Sequence, residues 1–207
     1  MNETAVVVRE VSKRFGRRVV LDGVSLAVRA GESVALVGEN GAGKSTLLRV
    51  CAGIIEPDGG TVETSGGVGY CPQEPGVLEL LTADDHLVLV GRAFGRNRRQ
   101  AIDDGRALLH ELGFTADPRQ AARTLSGGAR QKLNLALAVL GERRVLLLDE
   151  PYQGFDHGSY VNFWDHVGAW CREGRAVIVV THMLAELDRV DRVVELSAPM
   201  PAPLPAA

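Results

Sequence analysis

The sequence contains no run of roughly 20 apolar residues, the length needed to cross a bilayer as a helix, so no membrane span is expected. Its opening residues, Met1 to Thr4, lack the basic and apolar regions of a secretory signal peptide. Cysteine is scarce, because Cys51, Cys71 and Cys171 are far apart, odd in number and without metal-ligand spacing. We therefore expect a cytoplasmic protein with reduced, buried thiols.

An excess of basic residues is also missing. The 23 Lys and Arg residues against 26 Asp and Glu give a net charge of -3, so no nucleic-acid partner is expected. The remaining composition is ordinary for a globular chain of 207 residues, with 45% hydrophobic and 24% charged residues. This length predicts one domain, with or without a subdomain, that buries a substantial core.

A glycine-rich stretch from Gly38 to Ser45 matches the phosphate-binding pattern G-x-x-x-x-G-K-[ST]. The apolar run 33–37 predicts a buried strand before it, and residues 45–52 predict a helix after it. Glycines leave room for phosphates to approach the backbone, and the start of the helix adds partial positive charge. We predict that Lys44 binds the β- and γ-phosphates and that the Ser45 hydroxyl ligates Mg²⁺. The predicted nucleotide contacts are Gly38, Glu39, Asn40, Gly41, Ala42, Gly43, Lys44, Ser45 and Thr46.

The first thirty residues predict an antiparallel β-layer beside the nucleotide. Residues 5–11, 19–21 and 24–28 have strand patterns, and the segment from Ser12 to Gly16 is expected to interrupt them. Phe15 lies in that segment. The residue alone leaves open whether it is a core aromatic or a functional one.

Two carboxylates follow a second apolar run. Residues 145–148 predict a strand buried on both faces of a parallel sheet, and Asp149 and Glu150 come at its carboxyl end, where such sheets bind ligands. Because neighbouring strand residues point to opposite sides, the two acids should have different roles. Asp149 suits the Mg²⁺ shell and Glu150 suits the general base, and the alternative is a charged turn after a strand. A further buried strand, 176–181, ends beside His182, which is either structural or a phosphate contact.

The middle of the chain is predicted to be mainly helical. Pro72 and Pro75 make Gln73 part of a stiff, non-helical link. Helices are predicted over residues 84–94, capped by Thr82 or Asp84, and over residues 97–112. The segment Ser126-Gly127-Gly128 precedes another helix and is either an anion-binding helix start or a simple N-cap.

The last third of the chain predicts a helix over residues 159–173, a strand over residues 190–196 and a disordered Pro/Ala tail over residues 197–207. Phe163, Val167 and Trp170 share one face of that helix, which is typical of core packing.

These segments, in this order from about Val6 to Leu196, resemble the ATP-binding subunit of ATP-binding cassette (ABC) transporters. The resemblance rests on the phosphate loop, on Leu125-Ser126-Gly127-Gly128-Ala129 as a signature segment, and on the run 145–149 followed by Glu150. It implies an α/β fold, a phosphate-loop NTPase core with a mainly parallel sheet, an N-terminal antiparallel β-layer and a small helical subdomain at about residues 80–140. The ABC ATPase domain would span residues 1–196.

The resemblance also assigns roles to individual residues. It implies ATP and Mg²⁺ as cofactors, with Phe15 stacked on the adenine. The implied catalytic residues are Glu150, His182, Gln73 and Lys44, and the implied Mg²⁺ ligands are Ser45, Gln73 and Asp149. In the implied head-to-tail dimer, of two copies or of two different chains, Ser126, Gly127 and Gly128 of one subunit contact the ATP of the other, and Asp156 lies in the dimer loop.

Three departures from the family pattern bear on rate and dimer affinity. Ala129 replaces the glutamine that often ends the signature, Phe15 replaces the more frequent tyrosine, and the segment 152–155 replaces the common Thr-x-x-Leu. None of them removes a catalytic group.

We predict an ATP-hydrolysing subunit that energises a separate membrane-spanning partner and lies on the inner face of the cell membrane through that partner. The compact segment between Gln73 and Ser126 is similar to export-type bacterial subunits. The alternatives are an ABC-type ATPase acting on ribosomes or DNA without transport, an inactive nucleotide-binding regulatory module, and a phosphate-loop kinase or GTPase. The kinase or GTPase leaves the segment 126–128 unexplained, and the inactive module conflicts with the retained residues Lys44, Gln73, Asp149, Glu150 and His182.

Overall fold

A computed structural model describes residues 3–182 and 184–198, which begin with three strands and continue as a mixture of helices and further strands. The strands are β1 (Thr4–Phe15), β2 (Arg18–Arg29), β3 (Ser33–Val37), β4 (Gly59–Thr64), β5 (Gly67–Cys71), β6 (Arg143–Asp149), β7 (Ala176–Val180) and β8 (Arg192–Glu195). The α-helices are α1 (Lys44–Cys51), α2 (Ala83–Ala93), α3 (Arg98–Glu111), α4 (Gly127–Val139) and α5 (His157–Arg172). Two 3₁₀ segments cover Ala122–Thr124 and Leu184–Arg189.

The strands form two sheets, which confirms the predicted α/β class. An antiparallel sheet has the order β2-β1-β4, and a five-stranded sheet has the order β5-β6-β7-β3-β8 with parallel pairing throughout. The carboxyl ends of β5, β6, β7 and β3 therefore lie side by side. The loops that follow these four neighbouring strands carry the residues predicted to bind and cleave the nucleotide.

The predicted interruption of the first strand at Ser12 to Gly16 is wrong. Strand β1 continues to Phe15, and its pairing with β2 runs on to the Phe15–Arg18 pair. The polar residues that suggested a break lie on a solvent-facing part of a continuous hairpin. The pairing with β2 is nevertheless irregular. Its register shifts between Val8 and Val11, where Glu10 has a positive φ of 48°, and shifts again between Val11 and Arg14.

Side-chain caps account for where α2, α3, α4 and α5 begin. Thr82 and Asn97 each form a capping box, at α2 and at α3. Ser126 and Asp156 each accept a backbone N–H at the start of α4 and α5. The last strand, Arg192–Glu195, is shorter than the predicted 190–196, since residues 190–191 form a bend.

Two hydrophobic clusters cover the two faces of the parallel sheet. One contains Leu146, Leu148, Val177 and Val179 with side chains of α2 to α5, and the other contains alternate residues of the same strands with α1 and the antiparallel sheet. The prediction that these strands are buried on both faces is confirmed. The core packing predicted for Phe163, Val167 and Trp170 is confirmed as well, and Cys51 and Cys71 are buried while Cys171 is partly buried.

Within the described ranges, none of the helices combines the length and the apolar character that crossing a bilayer requires. The division into a domain over residues 1–196 and a helical subdomain over about residues 80–140 stays a prediction. Residues 199–207 of the predicted tail lie outside the described residues.

Candidate functional site

The phosphate-loop pattern forms a turn between β3 and α1. Gly38, Gly41 and Gly43 have positive φ angles of 142°, 84° and 96°, which side-chain-bearing residues rarely adopt. A Cβ atom on Gly38 would lie 2.2 Å from the carbonyl oxygen of Leu196, and one on Gly43 would lie 2.6 Å from that of Val20. Packing against the protein's own backbone therefore requires glycine at these two positions. Gly43, the N-cap residue of α1, has no side chain to cap the helix, so no cap occupies the first N–H groups of α1.

Lys44 reaches back over this loop. Its side chain is almost fully buried, and its ammonium donates to the carbonyl oxygens of Gly38 at 2.7 Å and Glu39 at 2.9 Å. The positive charge is thus held at the centre of the turn.

A cleft of about 780 Å³ opens in front of the loop. Its lining includes ten of the predicted site residues, Phe15, Asn40, Gly41, Gly43, Lys44, Ser45, Thr46, Gln73, Glu150 and His182. Gly38, Glu39 and Ala42 belong to the loop but are not among the lining residues. Phe15 is 53% exposed, so its interpretation as a core aromatic is wrong.

Two residues of the cleft, Arg18 and Val20, escaped sequence reasoning. Arg18 pairs with Phe15 across the β1–β2 hairpin. The sequence signal for Arg18 is the two-residue turn Gly16-Arg17, which places Arg18 opposite Phe15 on the next strand. Arg18 adds a cation to the side of the cleft that carries Phe15.

Asp149, the last residue of β6, is a buried carboxylate. It is 1% exposed, and neither carboxylate oxygen has a hydrogen bond of good geometry among the described residues. Burial raises the pKa of Asp149 and the adjacent Glu150 acts in the same direction, while the hydroxyl of Ser45 opposes them. A buried carboxylate that lacks a partner and faces a hydroxyl fits a hard cation with oxygen ligands.

The residues that fit Mg²⁺ are few. No cluster of three or more His, Cys, Asp and Glu side chains within residues 3–182 and 184–198 is arranged to hold a metal. Mg²⁺ usually takes one or two carboxylates together with waters and substrate phosphates. The single carboxylate of Asp149, with the Ser45 hydroxyl and the Gln73 amide, is consistent with that kind of site.

Glu150 contacts two of the other predicted catalytic side chains, His182 and Gln73. Its Oε1 lies 2.5 Å from Nε2 of His182, and its Oε2 accepts from Nε2 of Gln73 at 3.2 Å. The Glu150 backbone has a positive φ of 48°, an unusual conformation for a residue with a side chain. Glu150 therefore faces the cleft, while Asp149 is buried. The two neighbouring acids point in different directions, which agrees with the expectation that they have different roles.

The link that carries Gln73 is held by α4. Nδ2 of Asn134 donates to the carbonyl oxygen of Pro72 at 2.9 Å, and its Oδ1 accepts from the backbone N–H of Gly76 at 3.3 Å. Sequence reasoning missed Asn134, because no local pattern in a helix indicates a contact with residues about 60 positions earlier.

The signature segment does not contribute to the nucleotide cleft of its own chain. Ser126 caps α4 by accepting from the N–H of Ala129 at 3.2 Å, and Ser126 and Gly127 are exposed. Gly128 packs against the loop after β6, since a Cβ there would lie 2.4 Å from the carbonyl oxygen of Gly154. The structure thus supports the N-cap interpretation and leaves the glycine-rich start of α4 open to solvent.

Asp156 caps α5. It accepts from the N–H of Ser159 at 2.9 Å and from its hydroxyl at 2.8 Å, and these hydrogen bonds lower the pKa of Asp156 to about 2. Sequence reasoning missed this cap, although an Asp directly before a helix is a strong N-cap signal.

Comparison with known proteins supplies independent findings. A family model described as ABC transporter matches residues 21–153. A Nod factor export ATP-binding protein I from Burkholderia lata is 32% identical over 194 residues, covering 88% of this chain and 64% of the relative. A daunorubicin resistance ATP-binding protein from Streptomyces coeruleorubidus is 34% identical over 206 residues, covering 93% of this chain and 65% of the relative. The chain therefore spans slightly less than two thirds of these two relatives.

Further similarities extend over most of both proteins. An uncharacterized ABC transporter ATP-binding protein from Methanocaldococcus jannaschii is 34% identical over 192 residues, covering 92% of this chain and 73% of the relative. A solved structure of an ATP binding subunit of an ABC transporter superposes with a TM-score of 0.85 at 28% identity, covering 93% of this chain and 85% of that one. The dimeric structure of a bacterial ABC transporter cassette has a TM-score of 0.86 at 21% identity, which shows the shared fold.

Proposed function

The chain belongs to the ABC transporter family of ATP-binding cassettes, and we propose that it binds and hydrolyses ATP to energise transport through a separate membrane-spanning partner. The observation that carries this proposal is that Gln73, Glu150 and His182 meet at one cleft in front of the phosphate loop. A protein that only binds nucleotide has no need for a hydrogen-bonded carboxylate at that position.

ATP would lie with its phosphates against the loop and its adenine near Phe15. Lys44 and the free N–H groups at the start of α1 attract the phosphates, and the exposed ring of Phe15 offers a surface for stacking. Mg²⁺ would be held by Ser45, Asp149 and Gln73. When bound, it neutralises phosphate charge that builds up during cleavage.

Hydrolysis requires a base for the attacking water. Glu150 accepts the proton at a carboxylate oxygen that faces the cleft, a contribution of roughly 10²–10⁴ in rate for a well-placed general base. His182 and Gln73 hold that carboxylate in place through their hydrogen bonds. Lys44 stays with the phosphates and balances their charge.

A head-to-tail dimer accounts for the exposed signature segment. Ser126 and Gly127 are exposed at the start of α4 and lie outside the cleft of their own chain. A helix start of this kind binds anions, so in a dimer it would contact the phosphates bound by the other subunit. ATP would then join two subunits, and hydrolysis would release them.

The partner is proposed to be a membrane protein, and the direction is proposed to be export. Two of the relatives carry the names Nod factor export protein and daunorubicin resistance protein, and both names belong to those proteins. The same names give no support to the alternative of an ATPase that acts on ribosomes or DNA. The subunit would lie on the inner face of the cell membrane through its partner.

The proposal is tested with a tagged Glu150→Gln variant in the presence of ATP. This variant keeps the shape of the side chain but cannot accept the proton, so we expect ATP binding with turnover lowered by roughly 10²–10⁴. With ATP bound, it should retain a multi-span membrane protein from detergent-solubilised host membranes. Glu142→Gln is the matched control. Glu142 directly precedes β6, whereas Glu150 directly follows it, so this variant should keep wild-type turnover.

Three results would count against the proposal. If the wild-type protein did not hydrolyse ATP, the proposed enzymatic activity would be wrong. If Glu150→Gln turned over ATP rapidly, Glu150 would not be the general base. Retention of ribosomes or DNA instead of a membrane protein would favour the alternative without transport.

A further inference from the structure

The loop that follows β6 places a further amide on the carboxylate of Glu150. Nε2 of Gln153 donates to Oε2 of Glu150 at 2.7 Å, a shorter distance than the 3.2 Å from Nε2 of Gln73 to the same oxygen. Gln153 is not among the residues that line the nucleotide cleft. It therefore touches the base from outside the site in which ATP would bind.

Tyr152, the residue before Gln153, anchors this loop in the hydrophobic core. Its ring is buried against Tyr160 and Phe163, with ring centroids 5.1 Å and 5.6 Å away, and its hydroxyl is hydrogen-bonded to that of Thr181. Thr181 directly precedes His182. The loop is thus tied to the segment that carries the other side chain in contact with Glu150.

The other side of the loop contacts the signature helix. The carbonyl oxygen of Gly154 packs against Gly128 so closely that a Cβ on Gly128 would lie 2.4 Å from it. Gln153 and Gly127 also line one groove of about 400 Å³. A shift of the start of α4 would therefore be transmitted through backbone contact to the residue that holds Glu150.

We infer that Gln153 is a positioning residue for the carboxylate of Glu150, an inference that rests on the proposed ATPase function. Its amide fixes the rotation of the carboxylate, and its loop makes that rotation depend on the position of Gly128. Side-chain length is essential to this role, because Asn at this position keeps the amide but ends one methylene group earlier. Glu at this position keeps the side-chain length but replaces the amide donor with a carboxylate, which carries the same charge as Glu150.

The test compares Gln153→Ala, Gln153→Asn and Gln153→Glu with wild type in steady-state ATP hydrolysis. Each variant should lower kcat by about three- to tenfold, the size expected for one hydrogen bond, while KM for ATP changes less than about twofold. Because Gln153 is exposed, the midpoint of urea unfolding should stay unchanged, which separates positioning from a structural role. Gln120→Ala, between α3 and α4, is the matched control and should leave kcat unchanged.

A second readout needs no turnover. In ¹⁵N NMR spectra, the side-chain amide signals of Gln153 should be displaced from those of solvent-exposed glutamines, and Glu150→Ala should return them to that range. Wild-type kcat in Gln153→Ala, or Gln153 signals that Glu150→Ala leaves unchanged, would overturn the inference. A wild-type protein without ATPase activity would instead overturn the proposed function, and the NMR signals would then show only whether Gln153 contacts Glu150.

Discussion

The ammonium of Lys44 lies 2.7 Å from the carbonyl oxygen of Gly38, the glycine that opens the same loop. The two residues close the phosphate loop on itself, with the lysine charge at its centre and its side chain only 6% exposed. A phosphate that entered the loop would meet this charge already in place. Pre-organisation of this kind lowers the entropic cost of binding.

Replacing Lys44 with Ala should therefore weaken ATP binding by about 10- to 100-fold, because a charge-assisted contact with phosphate is lost. The measurement is an equilibrium titration with a fluorescent ATP analogue. Lys44→Arg retains the charge but presents a planar fork, and it should recover only part of the affinity. Unchanged affinity in Lys44→Ala would contradict the proposed contact.

Phe15 allows a test of the adenine side of the cleft. The ring is 53% exposed at the cleft, so its removal should cost little stability. Stacking on a base is worth about 1–3 kcal/mol, and we expect Phe15→Ala to weaken ATP and ADP binding by roughly tenfold. Phe15→Tyr keeps the aromatic face and should bind both nucleotides as wild type does. Equal affinities for all three proteins would exclude stacking on Phe15.

The signature segment is tested by adding bulk to it. Ser126→Arg should leave ATP binding by the single subunit intact but prevent the ATP-dependent dimer, because the side chain would fill the space needed by the facing phosphates. Size-exclusion chromatography with ATP, in the Glu150→Gln background, measures this directly. Ser126→Ala also loses the N-cap of α4 and serves as the control that separates helix stability from steric exclusion. A dimer that forms with Ser126→Arg would show that the segment does not face the partner's ATP.

Sequence patterns predicted the parts of this site that depend on neighbouring residues. The phosphate loop follows from eight consecutive positions, and Asp149 and Glu150 follow from the apolar strand before them. The meeting of Gln73 with Glu150, 77 residues apart, is a consequence of β5 pairing with β6, and a local pattern cannot contain it.

The same reasoning explains what was missed. Arg18 reaches the cleft through the register of a hairpin that sequence analysis had interrupted at Ser12 to Gly16. Asn134 holds the Gln73 link from inside a helix, where its polar side chain gives no sign of its distant partners. Both residues act through tertiary pairing, which composition and periodicity do not encode.

Asp156 leads to a prediction about acid stability. Its hydrogen bonds to Ser159 lower the pKa of Asp156 to about 2 from an ordinary value of 3.8. The ionised carboxylate therefore stabilises the folded protein fully at pH values above 3.8, and this stabilisation is lost as the pH falls through about 2. Asn also caps helices but does not titrate, so Asp156→Asn should lose less stability than wild type between about pH 4 and pH 2. Urea unfolding followed by circular dichroism across this range measures the difference.

Asp156→Ala completes this comparison. It lacks both the cap and the titrating group, so it should be less stable than wild type at neutral pH and should approach wild type as the pH falls toward 2. Parallel curves for wild type and Asp156→Asn would mean that the carboxylate does not stabilise α5 as the structure indicates. The same Asn variant separates the cap from the predicted dimer-loop role, because loss of the ATP-dependent dimer with an intact helix would assign Asp156 a second function between subunits.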